Sequence, residues 1–209
     1  VIILLIWLKE IKPRDNTGKP IPSFKGLTGN LKKFIVVAFV FAFANISYAF
    51  FLTRAQQVGA PAYIIPLLYM IYTIAYAALA YPAGRYSEQI GTKKLIVIGY
   101  VIYAITSLLF AFLRTPYLLP LGFLLFGCFY AAVDTNSRIF VSQLSRENER
   151  GTAYGAYHTG VGITALPANI LAGFIWDKFS AQSLFVIISI IAVISAGLLT
   201  FMVSQHSGE

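Results

Sequence analysis

Apolar runs of about twenty residues recur along this chain of 209 residues, and they constrain its fold more than any other feature. Such a run crosses a bilayer as a helix, whereas a strand of a membrane barrel needs only about ten residues of alternating polarity. Apolar residues form 58% of the sequence and charged residues only 11%. A soluble domain has about a quarter of its residues charged. The sequence therefore predicts an all-α membrane protein.

Six of these runs predict six transmembrane helices joined by short loops. They occupy residues 34–53, 62–83, 95–113, 116–137, 152–176 and 183–203. Residues 1–8 are too short to cross a bilayer and are expected to be the end of a preceding transmembrane helix. We expect residues 9–33 to be a cytoplasmic linker and residues 204–209 a cytoplasmic tail. The chain is accordingly expected to be a fragment, with a half-size protein that dimerises as the alternative.

The basic residues indicate the orientation of the helices, because basic loops stay in the cytoplasm during insertion. Of the sixteen lysines and arginines, only Arg54, Arg114 and Lys178 fall on one set of flanks, and the others share the opposite set. Both ends of the predicted bundle are thus expected in the cytoplasm, in a plasma or inner membrane. Although the net charge is +8, the cations lie between apolar runs and form no nucleic-acid-binding face.

The most specific motif follows the second predicted span. It reads Gly84-Arg85-Tyr86-Ser87-Glu88-Gln89-Ile90-Gly91-Thr92-Lys93-Lys94. This segment, expected to be a loop, resembles the signature loop of the major facilitator superfamily in the weaker copy between the eighth and ninth helices. Glu88 stands where that family usually has Asp, and Gln89 replaces its Arg. Residues 150–167, rich in glycine and alanine, are similar to the eleventh helix of the family.

The resemblance implies that the chain is the carboxy-terminal six-helix half of such a transporter, built from two inverted three-helix repeats. An echo in the sequence agrees with this, since Ala83-Gly84 and Glu88 recur as Ala172-Gly173 and Asp177. The family also implies a cytoplasmic gate in which Glu88 bonds to the fourth span and to the start of the fifth. The gate residues would be Gly84, Arg85, Glu88, Gly91, Lys93, Lys94, Asp134, Arg138, Glu149 and Arg150. Asp134 and Arg138, one turn apart, are also expected to pair with each other.

Polar side chains inside the spans indicate a solute cavity, since such groups are costly in lipid and face the interior of a bundle. His158 and Asn169 share one face of the fifth span, and tyrosines form a stripe on the second. The candidate cavity residues are Asn45, Tyr48, Tyr69, Tyr72, Tyr76, His158 and Asn169. Ordinary helix packing explains the same residues equally well. The uncharged third and sixth spans are expected to be peripheral and to face lipid.

These features favour transport of a small solute by alternating access, with the missing amino-terminal half or a second copy as partner. Protons are a candidate coupling ion, through His158 or Asp134. We predict no cofactor and no metal, because only His158 and His206 are available as histidine ligands. The alternatives are a receptor or regulator on a transporter scaffold and, less favoured, a lipid-modifying enzyme. Since no convergent catalytic set is present, we predict that the chain is not an enzyme.

Overall fold

The computed structural model describes residues 27–203 and folds them into a bundle of α-helices. The predicted end of a preceding helix at residues 1–8, most of the linker at residues 9–33 and the tail at residues 204–209 lie outside the described residues. The helices are α1 Gly29–Ala44, α2 Tyr48–Gln57, α3 Ile65–Ile90, α4 Thr92–Phe112, α5 Leu119–Leu144, α6 Arg150–Lys178 and α7 Ala181–Met202.

Six segments of the described residues are long and apolar enough to cross a membrane, as the sequence predicts. α1 and α2 together form the first span, and α3 to α7 form the second to the sixth. Short 3-10 turns precede three of the spans, at Ala62–Ile64, Pro116–Leu118 and Glu147–Glu149. The all-helical, six-span fold is therefore confirmed.

The helices extend beyond the apolar runs at one end of the bundle. α3 continues to Ile90 instead of ending near residue 83, so most of the expected signature loop is helical. Residues 84–90 include no proline that would end the helix. Their charged side chains must lie outside the hydrocarbon layer, and a helix that extends beyond the membrane satisfies this. The helix ends at Gly91, whose φ of 94° favours glycine. We call the end that carries Gly91, Thr28 and residues 145–149 the basic end.

The first span is interrupted at residues 45–47, which the sequence did not predict. The backbone groups freed by the break are bonded by other spans. The Tyr103 hydroxyl donates to the carbonyl oxygen of Ala44, and the amide of Ser47 donates to Oδ1 of Asn169 at 2.9 Å. Irregular backbone at membrane depth requires such internal partners. The break is thus held by the third and fifth spans.

The core lies between the first, third, fourth and sixth spans and is largely aromatic. Phe41 stacks on Tyr100 at 3.8 Å between ring centroids, and Phe51 contacts Phe110, Phe126 and Phe185. The third span has an apolar outward face, as expected of a peripheral helix, but Tyr100 and Tyr103 on its inner face are fully buried.

The second and fifth spans are the least covered parts of the bundle. In their apolar stretches only 11% and 17% of residues are buried, against 44% to 50% in the other four spans. Exposed apolar side chains include Tyr69 and Ile74 on the second span and Ile163 and Leu166 on the fifth. These two spans therefore present the most unburied apolar surface of the described residues.

Candidate functional site

A cavity of about 130 Å³ lies inside the bundle, toward the basic end. The first span contributes one wall with Asn45, the fourth contributes Asp134 and Arg138, and the fifth contributes His158. Aromatic and aliphatic side chains complete the lining: Ala38, Phe41, Ala42, Tyr100, Phe129, Tyr130, Val133, Tyr157 and Val161. The cavity thus combines an apolar wall with a few convergent polar groups, as small-molecule sites do.

Asp134 is the most highly bonded group of the cavity. Nη2 of Arg138 lies 3.2 Å from both of its carboxylate oxygens, and the Tyr76 hydroxyl donates to Oδ2 at 3.0 Å. The predicted pairing of Asp134 with Arg138 is present, and it joins residues one turn apart on α5. Two donors from two spans therefore bond this carboxylate.

Two predicted cavity residues, Asn45 and His158, do line this cavity. Asn45 ends α1 at the break, where the helix no longer directs its side chain along the helix surface. Its Oδ1 atom is buried and has no hydrogen-bond partner within residues 27–203, while its side-chain amide lies within hydrogen-bonding reach of the Tyr130 hydroxyl. His158 is exposed toward the open side of the bundle, and its ring packs edge-on against Tyr157 at 5.2 Å. The cavity lining therefore includes both a buried amide oxygen and an imidazole ring.

The four predicted tyrosines lie next to the cavity and, together with Tyr130, which was not among the predicted cavity residues, form what we call the tyrosine strip: Tyr48, Tyr69, Tyr72, Tyr76 and Tyr130. Consecutive rings are in contact, with centroid distances of 5.2 Å, 5.5 Å, 5.5 Å and 6.3 Å along Tyr48, Tyr69, Tyr72, Tyr130 and Tyr76. Only Tyr130 also lines the cavity. The strip runs from the break in the first span to the carboxylate of Asp134, which Tyr76 bonds.

Asn169 lies outside the cavity lining. Its Oδ1 accepts from the Ser47 amide, while its Nδ2 donates to the carbonyl oxygen of Ala165 on its own helix. It shares the fifth span with His158 but bonds the break instead of facing the cavity. The structure therefore places this predicted solute ligand as a support for the first span.

The expected gate residues are spread over the basic end. Arg85, Glu88, Lys94 and Arg150 are exposed, whereas Gly84 and Glu149 are half-buried. Glu88 lies beside the end of the fourth span, in a groove lined by Phe140, Gln143 and Leu144.

Two contacts at the basic end differ from those expected. No ion pair joins Glu88 to Arg138 within residues 27–203, because Arg138 is held by Asp134 on its own helix. Lys93 caps the last helix, since its Nζ donates to the carbonyl oxygens of Thr200 at 2.8 Å and Val203 at 2.6 Å. A cation at the carboxyl end of a helix bonds the carbonyl groups that lack helical partners.

Arg54 makes the corresponding contact at the opposite end of the bundle. Its guanidinium donates to the carbonyl oxygens of Phe110 at 3.1 Å, Ala111 at 3.4 Å and Leu113 at 3.0 Å. It thus caps the third span and ties it to the first.

Tyr100 and Tyr157 complete the cavity wall, and sequence reasoning did not select them. Tyr100 belongs to the predicted third span, residues 95–113, which has no charged residue. Tyr157 precedes His158, so its ring is offset from the predicted face of the fifth span. Ser47 was also missed, although serine before an apolar helix is a start signal. Its side chain accepts from the Ala49 amide and begins α2.

The fold and site define a class: a polytopic helical membrane protein whose bundle contains a mainly apolar cavity with a few polar groups. Comparison with known families agrees. The sequence model of the Major Facilitator Superfamily matches residues 34–209, and the chain belongs to that superfamily.

Individual relatives support the assignment. The chain is 40% identical over 209 residues to an uncharacterized MFS-type transporter of Methanocaldococcus jannaschii, covering 96% of this chain and 52% of that protein. It is 30% identical to the inner membrane transport protein YajR of Escherichia coli, covering 71% of this chain and 32% of YajR. A probable actinorhodin transporter of Streptomyces coelicolor is 28% identical, with coverages of 58% and 21%. The chain spans about half or less of the length of these relatives.

Proposed function

We propose that this chain is one six-helix half of a secondary transporter that moves a small solute by alternating access. The observation that carries the proposal is Asp134, the one acidic residue among those described that lines the cavity. A carboxylate inside a membrane bundle is costly and is retained for function. Its neighbour Arg138 makes the cavity suitable for binding a polar solute, and His158 is the candidate for exchanging protons.

The partner in this proposal is a second six-helix unit, either another half of the same protein or a second copy. It would cover the second and fifth spans, whose apolar stretches are the least buried. The second span carries Tyr69, Tyr72 and Tyr76 of the tyrosine strip, and the fifth carries His158. The partner would therefore close the cavity on its open side. The solute would then bind between the two units, near the middle of the membrane.

We place the basic end in the cytoplasm and the protein in the cell membrane, because basic flanks are retained on the cytoplasmic side. The charged residues of that end would form the inner gate. Glu88 and Arg138 are the proposed latch, and their contact would form in a state other than the one described. In that state Arg138 would break its ion pair with Asp134 and form one with Glu88. This change of partner would couple the cavity to the gate.

Thiol labelling of the full-length protein tests alternating access. With Cys128→Ser as the background, Asn45→Cys places a thiol in the cavity and Lys94→Cys places one at the basic end. A membrane-impermeant thiol reagent should reach Asn45→Cys from either side of the membrane, because the cavity opens alternately. It should reach Lys94→Cys only from the cytoplasmic side. Labelling of Asn45→Cys from one side alone, in proteoliposomes of either orientation and with either gradient, would reject alternating access.

A further inference from the structure

We infer that the cavity and the tyrosine strip form one binding site for an organic cation, with the cationic group at Asp134 and the hydrophobic body along the strip. The inference rests on the proposed transport function and specifies its substrate class. It depends on three features that lie together: a carboxylate, a buried free acceptor and a row of phenol rings.

The negative charge of Asp134 is paired with Arg138, and a cationic ligand can replace Arg138 in this pair. Arg138 contacts both oxygens of Asp134 through a single nitrogen, Nη2, instead of a two-nitrogen fork. The Arg138 side chain is 58% exposed, whereas that of Asp134 is 36% exposed. A long, exposed cation can turn away toward water at the basic end, while the carboxylate stays in the bundle. Asp134 is thus available to a competing cation.

Oδ1 of Asn45 in the cavity can accept a hydrogen bond from a ligand. Oδ1 of Asn45 is buried and has no hydrogen-bond partner among residues 27–203, whereas the Asn45 side-chain amide as a whole lies within hydrogen-bonding reach of the Tyr130 hydroxyl. A buried acceptor without a partner is costly. A protonated amine supplies such a donor, whereas an ionised carboxylate does not. The acceptor and Asp134 line the same cavity, so one ammonium-bearing solute fits both.

The tyrosine strip extends the site beyond the cavity's 130 Å³. Tyr130 belongs to both, and Tyr76 bonds Asp134 directly. Aromatic faces attract cations and also bury apolar surface. Tyr48 and Tyr69 are 44% and 40% exposed, which leaves ring surface for the body of a ligand. Rings that lead to a carboxylate favour a hydrophobic cation over a hydrophobic anion.

Two ions of matched shape and opposite charge test the inference. Binding of radiolabelled tetraphenylphosphonium and tetraphenylborate to the purified full-length protein is measured in detergent, with protein-free micelles subtracted. Tetraphenylphosphonium has no N–H group, so it tests the charge and the ring surface of the site and not the Asn45 acceptor. We expect tetraphenylphosphonium to bind and tetraphenylborate not to bind specifically. Asp134→Asn should weaken tetraphenylphosphonium binding by about tenfold or more, the effect of losing a charged partner. The matched control is Asp177→Asn, an exposed acid at the other end of the fifth span, and it should leave binding unchanged.

Two further variants distinguish an effect on the site from misfolding, because one of them is expected to strengthen binding and a misfolded protein would only lose it. Arg138→Gln removes the competing cation and should strengthen tetraphenylphosphonium binding. Tyr72→Leu should weaken it by roughly threefold through loss of a ring face. Preferential binding of tetraphenylborate, loss of tetraphenylphosphonium binding in Arg138→Gln, or equal effects of Asp134→Asn and Asp177→Asn would overturn the inference.

Failure of the cation site and failure of the transport proposal are distinguishable. Alternating thiol labelling without charge discrimination would reject the cation site alone. Charge-selective, Asp134-dependent binding without alternating labelling would keep the site and reject transport.

Discussion

Gly127 offers the sharpest test of how the second and fourth spans are packed. A methyl group added at this position would lie 2.6 Å from Cβ of Ala75 and 2.7 Å from the carbonyl oxygen of Tyr72. Carbon atoms in ordinary contact are about 3.5–4.0 Å apart. Because a backbone atom is among those contacted, a rotamer change cannot relieve the overlap. Gly127→Ala must separate the two spans by about 1 Å.

The expected cost follows from comparison with a second glycine. Overpacking a tight interface costs about 1–3 kcal/mol, and replacing a helical glycine by alanine returns up to about 1 kcal/mol of helix propensity. Gly197, on the sixth span, has no atom within 4 Å of an added Cβ. Gly197→Ala should therefore show the propensity gain alone. The difference between the two variants removes the propensity contribution and should be about 1–3 kcal/mol.

Unfolding of the full-length protein in mixed micelles, titrated with a denaturing detergent, measures this difference. Gly127→Ala should unfold at lower denaturant than Gly197→Ala. It should also weaken solute binding, because Tyr72 and Tyr76 on the displaced span belong to the tyrosine strip. Equal stability of the two variants would refute the close approach at Gly127 and the register of the second and fourth spans that depends on it.

Three other predictions concern the break, the turn and the gate. Asn169→Ala leaves the Ser47 amide without its partner and should destabilise the protein by about 1–3 kcal/mol in the same unfolding titration; stability equal to wild type would contradict the bond across the break. Gly91→Ala forces a side chain onto a φ of 94° and should cost roughly 1–3 kcal/mol, and no loss of thermal stability would contradict that turn. Glu88→Gln should change proteoliposome uptake rates and the sidedness of thiol labelling in the same direction as Arg138→Ala, and wild-type behaviour in both variants would remove the proposed latch.

The sequence was sufficient to predict the six spans because lipid requires long uninterrupted apolar runs. It also placed Asn45, Asp134, Arg138 and His158 among the functional candidates, since polar groups are rare in such runs. The structure then assigned all four to one cavity, whereas the sequence separated them between a gate and a cavity. That grouping depends on how the helices pack, and a periodic pattern on one helix does not specify its neighbours.

The break in the first span shows the other limit of sequence reasoning. Residues 45–47 carry only two polar side chains, and an apolar average over twenty residues hides them. Their significance lies in partners far along the chain, Tyr103 and Asn169, whose roles become visible only in three dimensions. Tyr103 lies in a predicted span, residues 95–113, without charged residues. Asn169 was predicted to share the cavity with His158.

The same break has a consequence for the biosynthesis of the protein. At about 1.5 Å per residue, the 16 residues of α1 and the 10 residues of α2 give rods of about 24 Å and 15 Å, each shorter than the roughly 30 Å hydrocarbon layer. Neither piece can be inserted as a complete span, so the translocon must accept both together. The groups that bond the broken backbone are synthesised 59 and 122 residues later. Until Tyr103 and Asn169 have been synthesised, the backbone groups at the break in the first span lack these partners. The break can therefore reach its final structure only after most of the bundle has been made.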